Sequence, residues 1–395
     1  MRNVSDKRDT PARCGVIACK SVVPFESKKR SLEEVLYELT QSVLADGGLR
    51  IDDIDGIVVA ANDQLDGRAI SIMAASGSVG GVNRDILSTP SSGEHAFVLG
   101  TLRVASGHFR TQLVLAWSPM EVASTSEALR LAADPYFHRA LPMDEWSAHA
   151  LQASRIEAAV PDSAIAALHV VAKNRRCGRL AFPNQAIGSS DPDSIAASVP
   201  FRWPLTREMI ALPISGAVAV VLASDDFIAE RQIANPAWVR GMGWAAESAY
   251  LGDRDLVSLP GLASAVEQAY RKAGIKDPRK SIVLAEVADT TPYQELLAWE
   301  HLGLSGRKTW KHDAIAGTFA EKGKIPINLS GGALSVNPIF CAGLHRIAEA
   351  VTQVRGQAGD RQVPGANLVV AHAASGPAMQ YNTVVVLGRS SGESE

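Results

Sequence analysis

Ten segments of this chain fall into two sets of five that share one order: helix, strand, helix, strand, strand. In the first set, Ser31 opens a helix through residue 44, with Glu33 and Glu34 in its first turn, where the helix dipole favours anions. A short, continuously apolar strand follows at 57–60, of the kind buried on both faces. A helix over about 94–105 then leads to a strand at 112–116, and another strand stands at 217–223. The second set repeats this with the helix LASAVEQAYRKAGI from Leu262, the strand SIVLAE (281–286), a helix from about Gly343, and strands at 367–371 and 382–387. A further strand candidate at 14–23 precedes both sets. Such an echo is what a duplicated β/α unit leaves in a sequence, and it predicts an α/β protein. The expected division is 12–232 and 233–391.

The densest stretch is 325–388. A Gly-rich loop, Ser330-Gly331-Gly332, leads through Asn337-Pro338 into the apolar-periodic segment 341–354. A Pro/Gly loop gives way to strand-like runs at 366–373 and 382–387, joined by the turn Ser375-Gly376-Pro377. A loop that feeds a helix N-terminus and returns as buried strands is how α/β proteins build ligand sites. Between the two sets, 121–204 breaks the repeat. It holds turn-rich pieces and one helix at about 162–174, and reads as an insertion lying over the site. Within it, KNRRCGRLAFPNQA (173–186) reads as a basic, solvated helix end, where cations are favourable.

Composition narrows the function. At 395 residues the chain has room for two domains and a large core. A hydrophobic content of 46% with a net charge of −3 is ordinary for a globular protein and argues against nucleic acid or an anionic membrane surface as partner. The longest apolar run, 209–223, is broken by Pro213 and Gly216 and is too short to span a bilayer. The first residues are polar, without the apolar core of a secretion signal. Cys14, Cys19, Cys177 and Cys341 show no metal-ligand spacing, so the expectation is a reducing cytoplasm with no metal and no disulfide. Residues 1–11 and 389–395 read as loose ends.

From about Gly15 to Gly388 the chain resembles the thiolase superfamily, in particular its sterol-carrier-protein-linked branch. The KNRR segment, PFRWPLT with LPISGAVAVVLAS (200–224), and 330–388 carry the similarity. The resemblance implies two duplicated βαβαβαββ halves, each with a mixed five-stranded sheet, in a five-layer αβαβα arrangement and at least a dimer. It implies a coenzyme A thioester as ligand and no tightly bound cofactor. Lys173, Arg175 and Arg176 would then be phosphate or partner contacts, with backbone donors at Gly331, Gly332 and Gly376.

Thiolase chemistry needs a cysteine at a helix N-terminus and a histidine to activate it. In TPSSGEH the nucleophile position is Pro90, and the neighbouring Ser91 and Ser92 read as helix caps. The GHP-like loop is Val336-Asn337-Pro338, and asparagine cannot take a proton at neutral pH. Phe340 stands where the family has small residues, in space the thioester uses, and Cys341 reads as a small buried apolar residue. The branch's His-Asp-Cys-Phe motif becomes Ala288-Asp289-Thr290-Thr291, with Tyr293 just beyond. The last loop keeps His372, an acid/base candidate by its reference pKa of about 6.5, and His95 is a second histidine beyond Pro90.

Three readings stay open. A non-catalytic or architectural thiolase-like subunit, beside an active paralogue and a small zinc-ribbon/OB-fold protein, accounts best for an intact frame around an emptied nucleophile motif. A coenzyme A-thioester retro-aldolase would need no covalent intermediate, with Asn337, His372, Asp289 and Tyr293 supplying base and donors. An acyltransferase would need Cys341 or a serine as nucleophile. Homodimer and heteromer are not distinguished.

Overall fold

The structure, a computed structural model, describes residues 11–25, 30–67, 70–118, 127, 130, 135–136, 140–141 and 143–392. The ends expected to be loose lie mostly outside the described residues, as does most of 119–142 at the start of the expected insertion.

Among the described residues the strands are β1 (Cys14–Val22), β2 (Gly56–Ala60), β3 (Asp85–Thr89), β4 (Thr111–Ser118), β5 (Pro200–Arg202), β6 (Leu205–Thr206), β7 (Gly216–Ser224), β8 (Ala237–Ala246), β9 (Leu284–Glu286), β10 (Leu368–Ser375) and β11 (Tyr381–Gly388). Nine form one mixed sheet in the order β3-β2-β4-β7-β1-β8-β11-β10-β9, and β5 and β6 pair as a separate hairpin. In the first wing, β2 lies parallel to β3 and β4, while β7 is antiparallel to β4 and β1. The second wing repeats the pattern: β9 is parallel to β10, and β11 is antiparallel to β10 and β8. Within the sheet, the described residues join the wings through two pairs, Gly15 with Trp238 and Val16 with Ala237.

The expected five strands per half hold only in the first wing. Where the second wing's counterpart of β3 would lie, Ile327 makes a single parallel bridge to Ala285. The next residue, Asn328, takes φ +58°, which turns the chain out of extended geometry before a strand can form.

The main helices are α1 (Leu32–Asp46), α2 (Gly93–Ala105), α3 (Glu145–Ala159), α4 (Ser163–Ala181), α5 (Pro260–Ala273), α6 (Pro292–His301) and α7 (Ala342–Val354). Helix α1 starts where the sequence places it, with Ser31 Oγ accepting from Glu34 N (3.2 Å) and Ser31 N donating to the Glu34 carboxylate (2.7 Å). Three cores define the layers. One joins α1 to the outer face of the first wing. A second encloses α2 and α7 between the inner faces of both wings. The third covers the outer face of the second wing with α3 to α6. Strands β4 and β7 are buried at every residue, as their uninterrupted apolar runs require.

Two expectations in the insertion change. Helix α3 was not legible, because its buried positions are mostly small or polar (Ala148, His149, Ala150, Gln152, Ala153, Ile156) and carry little apolar period. Helix α4 continues through the KNRR residues, so these are helix interior and not a solvated end.

Candidate functional site

The two central helices meet at their N-termini. Strand β3 ends at Thr89, Pro90 turns out to solvent, and α2 begins at Gly93. A methyl group on Gly93 would fall 2.8 Å from the side chains of Ala116 and Leu344 and 3.5 Å from Cys341 Cα. One on Gly343, in the first turn of α7, would collide with the Glu94 carboxylate and lie 2.8 Å from Ala373. Glycine at both positions is what lets the helix starts close on each other. The start of α2 and the segment from Cys341 to Leu344 are thereby brought together.

A polar group not foreseen as a set lines this junction. Ser91 Oγ is hydrogen-bonded to His95 Nδ1, one helical turn on. The His95 ring meets Tyr381, at the start of β11, edge to face with centroids 5.9 Å apart. Beside them Glu94 is buried, and its Oε1 has no hydrogen-bond partner. Burial pushes the Glu94 carboxyl up, opposed by the nearby His95 and by the Ser375 hydroxyl beside it. Ser92 occupies the N-cap position but its side chain makes no capping bond, so the expected cap role is only half met. The i, i+4 spacing of Ser91 and His95 was a readable signal, whereas the approach of Tyr381 and Ser375 was not.

The remaining residues of the expected site are held elsewhere or already engaged. Asn337 is buried, donates to Ala211 O (3.0 Å) and accepts from Ile339 N (3.0 Å), so its amide fastens its own loop. Cys341 is fully buried and donates to Pro338 O at 3.2 Å, and burial pushes its thiol well above the ordinary range. Phe340 packs into the central core. Asp289 accepts from Ala333 N (2.6 Å), Leu334 N (3.2 Å) and Asn174 Nδ2 (2.7 Å), which makes it the anchor of the 330s loop. Burial lifts its pKa to about 7, against the pull of Arg346. Tyr293 faces the outer core of the second wing and donates to Glu157, and burial drives its phenol upward.

His372 lies inside β10, not in a loop. Its odd-numbered neighbours Val369 and Ala371 face the central helices, whereas Val370 faces the outer core, so strand alternation turns His372 outward from α2 and α7. There it is fully buried, Nε2 donates to Asn382 Oδ1 (3.2 Å), and burial lowers its pKa to about 4.

Two of the three cations expected to contact the coenzyme likewise turn inward. Lys173 Nζ donates to Glu295 Oε1 (2.9 Å) and Ile327 O (2.7 Å). Arg175 pairs with Glu208 and donates to Ser189 O (3.1 Å). Of the three cations only Arg176 is exposed. Gly331 (φ +88°) and Gly332 (φ +64°) fit a close approach: side chains there would collide with the backbone of Gly178 in α4 and with the Asp289 carboxylate. Gly376 (φ +72°) forms the turn between β10 and β11. Among the described residues no group of three or more His, Cys, Asp or Glu could hold a metal ion, and no helix is long and apolar enough to cross a membrane.

Residues 243–389 match the family described as thiolase C-terminal domain-like. Over 289 residues the chain is 28% identical to an acetyl-CoA acetyltransferase of Methanothermobacter thermautotrophicus, covering 71% of this chain and 73% of that one. It is 30% identical over 187 residues to sterol carrier protein 2 of Oryctolagus cuniculus, covering 46% of this chain but only 34% of the relative's length. Among solved structures, an Ltp2-ChsH2(DUF35) aldolase matches with a TM-score of 0.78 at 19% identity, over 96% of this chain and 98% of that one. A monomeric SCP2-thiolase like protein type 1 from Mycobacterium smegmatis matches with a TM-score of 0.70 at 15% identity, over 95% and 77%. Two wings closed over a pair of central helices, together with these sequence matches, make the chain similar to the thiolase superfamily, sterol-carrier-protein-2-type members among them.

Proposed function

We propose that this chain is a thiolase-like subunit of an acyl-CoA-processing complex that carries no acyl group on cysteine. The observation that supports this reading is the pair Pro90 and Cys341: the helix start that would present a thiolate holds a proline, and the cysteine nearest it is a buried thiol donating to Pro338 O. A thiol in that state is neither ionised nor reachable, and covalent catalysis needs both. Incubation with acetyl-CoA and a medium-chain acyl-CoA, followed by intact mass, is the test. The expected result is saturable binding by calorimetry or none, with no acyl adduct in either case; an adduct on Cys341 would overturn the reading.

A second reading is favoured by the Ser91, His95 and Tyr381 group at the same helix start and by the likeness to a structure named as an aldolase. In it the chain cleaves a carbon–carbon bond of a β-hydroxyacyl thioester by a retro-aldol step, which needs a base and donors but no nucleophile. Release of a carbonyl product from a 3-hydroxyacyl-CoA separates it from a purely architectural subunit.

A further inference from the structure

Three features set the start of α2 apart from an ordinary helix end. First, a hydroxyl and an imidazole are already hydrogen-bonded there, Ser91 Oγ to His95 Nδ1, and both side chains are half-buried, so solvent and a ligand can reach them. Second, the Ser92 side chain does not cap the helix start; of the first-turn N–H groups, that of His95 is taken by Ser92 O (3.0 Å), and those before it have no i−4 carbonyl within the helix. Third, the Glu94 side chain, 1% exposed, keeps an Oε1 with no partner next to His95. A buried carboxyl oxygen left without a partner is costly. The groups facing His95 are Glu94 from its own helix and Tyr381 from β11, with Ser375 of β10 beside the Glu94 carboxyl.

We propose that Ser91 and His95 are the acid–base pair of this chain, acting on the hydroxyl of a β-hydroxyacyl thioester seated against the start of α2, with the Tyr381 phenol beside them. This rests on the retro-aldol reading above. Ser91 Oγ passes its proton to His95 Nδ1 as it takes the substrate's β-hydroxyl proton. The Cα–Cβ bond breaks, the β-carbon becomes a carbonyl, and the bonding pair goes to the thioester enolate. The enolate is met by the N–H groups and helix dipole at the start of α2. The imidazolium then returns its proton through Ser91 to Cα, which leaves an aldehyde or ketone and a shortened acyl thioester. Pro90 suits this chemistry, because it offers no thiolate ahead of α2 and leaves Ser91 as the hydroxyl there that is bonded to an imidazole.

The test uses the full chain, a medium-chain 3-hydroxyacyl-CoA, and detection of the carbonyl product. His95→Gln should lower kcat by about 100-fold or more with little change in KM, the scale of losing a general base. Ser91→Ala should fall in the same direction, and Ser91→Thr, which keeps the hydroxyl, should retain most of the activity. Circular dichroism and calorimetric binding of the substrate check that each variant is folded. Cleavage by the wild type that survives His95→Gln unchanged overturns this assignment and leaves the retro-aldol reading standing. No cleavage by a wild type that binds the thioester overturns both.

Discussion

Replacing Lys173 by methionine removes one charge from a buried pair while nearly conserving volume. Lys173 is 5% exposed and Glu295 is fully buried. After the change Glu295 keeps hydrogen bonds from Asn174 (2.7 Å), Asn328 (2.8 Å) and Trp299 (3.1 Å), but has no counter-charge, and Ile327 O loses its donor. Breaking a buried pair from one side costs about 3–5 kcal/mol, because the remaining ion stays desolvated and uncompensated. At about 1.4 kcal/mol per tenfold, that is roughly two to four decades in the folding equilibrium. Urea unfolding followed by tryptophan fluorescence reads it, since Trp299 and Trp310 are buried close by. Removing the stranded charge as well, in Lys173→Met with Glu295→Gln, should recover at least about 1 kcal/mol relative to the single variant. The reasoning fails if Lys173→Met unfolds within about 0.5 kcal/mol of the wild type, the range of an ordinary surface change. Loss of acyl-CoA binding at unchanged stability would instead make Lys173 a phosphate contact.

Other outcomes follow from the same geometry. In the native protein Cys14, Cys177 and Cys341 should resist a thiol reagent at pH 7.5, since burial raises the first two to about 12 and about 11 and the third further; rapid release of several equivalents would contradict their burial. Burial lowers the pKa of His372 to about 4 from about 6.5, so its contribution to stability is complete above about pH 6.5 and is lost as pH falls towards 4. That amounts to roughly 3 kcal/mol at about 1.4 kcal/mol per pKa unit. His372→Gln should therefore flatten the acid limb of the melting-temperature profile, and a parallel profile would refute it. Gly332→Ala should cost about 2–5 kcal/mol from its left-handed backbone and the collision with Asp289, measured by the shift in urea midpoint.

Local rules written in the sequence settled the repeat itself. The apolar runs of β4 and β7, the Ser31–Glu34 capping box and the helical period of α5 and α7 each act over a few residues, and together they dictate two similar wings around a pair of helices. Pro90 in place of a nucleophile was equally legible, because it depends on one position. The fate of the charged and titratable side chains was not. Lys173 and Arg175 look like a basic surface until Glu295 and Glu208, distant in sequence, close over them. His372 looks like a site residue until strand alternation sends it to the outer face of the second wing, a choice fixed by the register of β10 against β11. Tyr381 reaches His95 only because the turn after β10 returns beside α2. Periodicity decides which face of an element is buried; only the assembled layers decide which buried faces meet, and the chemistry of this chain depends on that meeting.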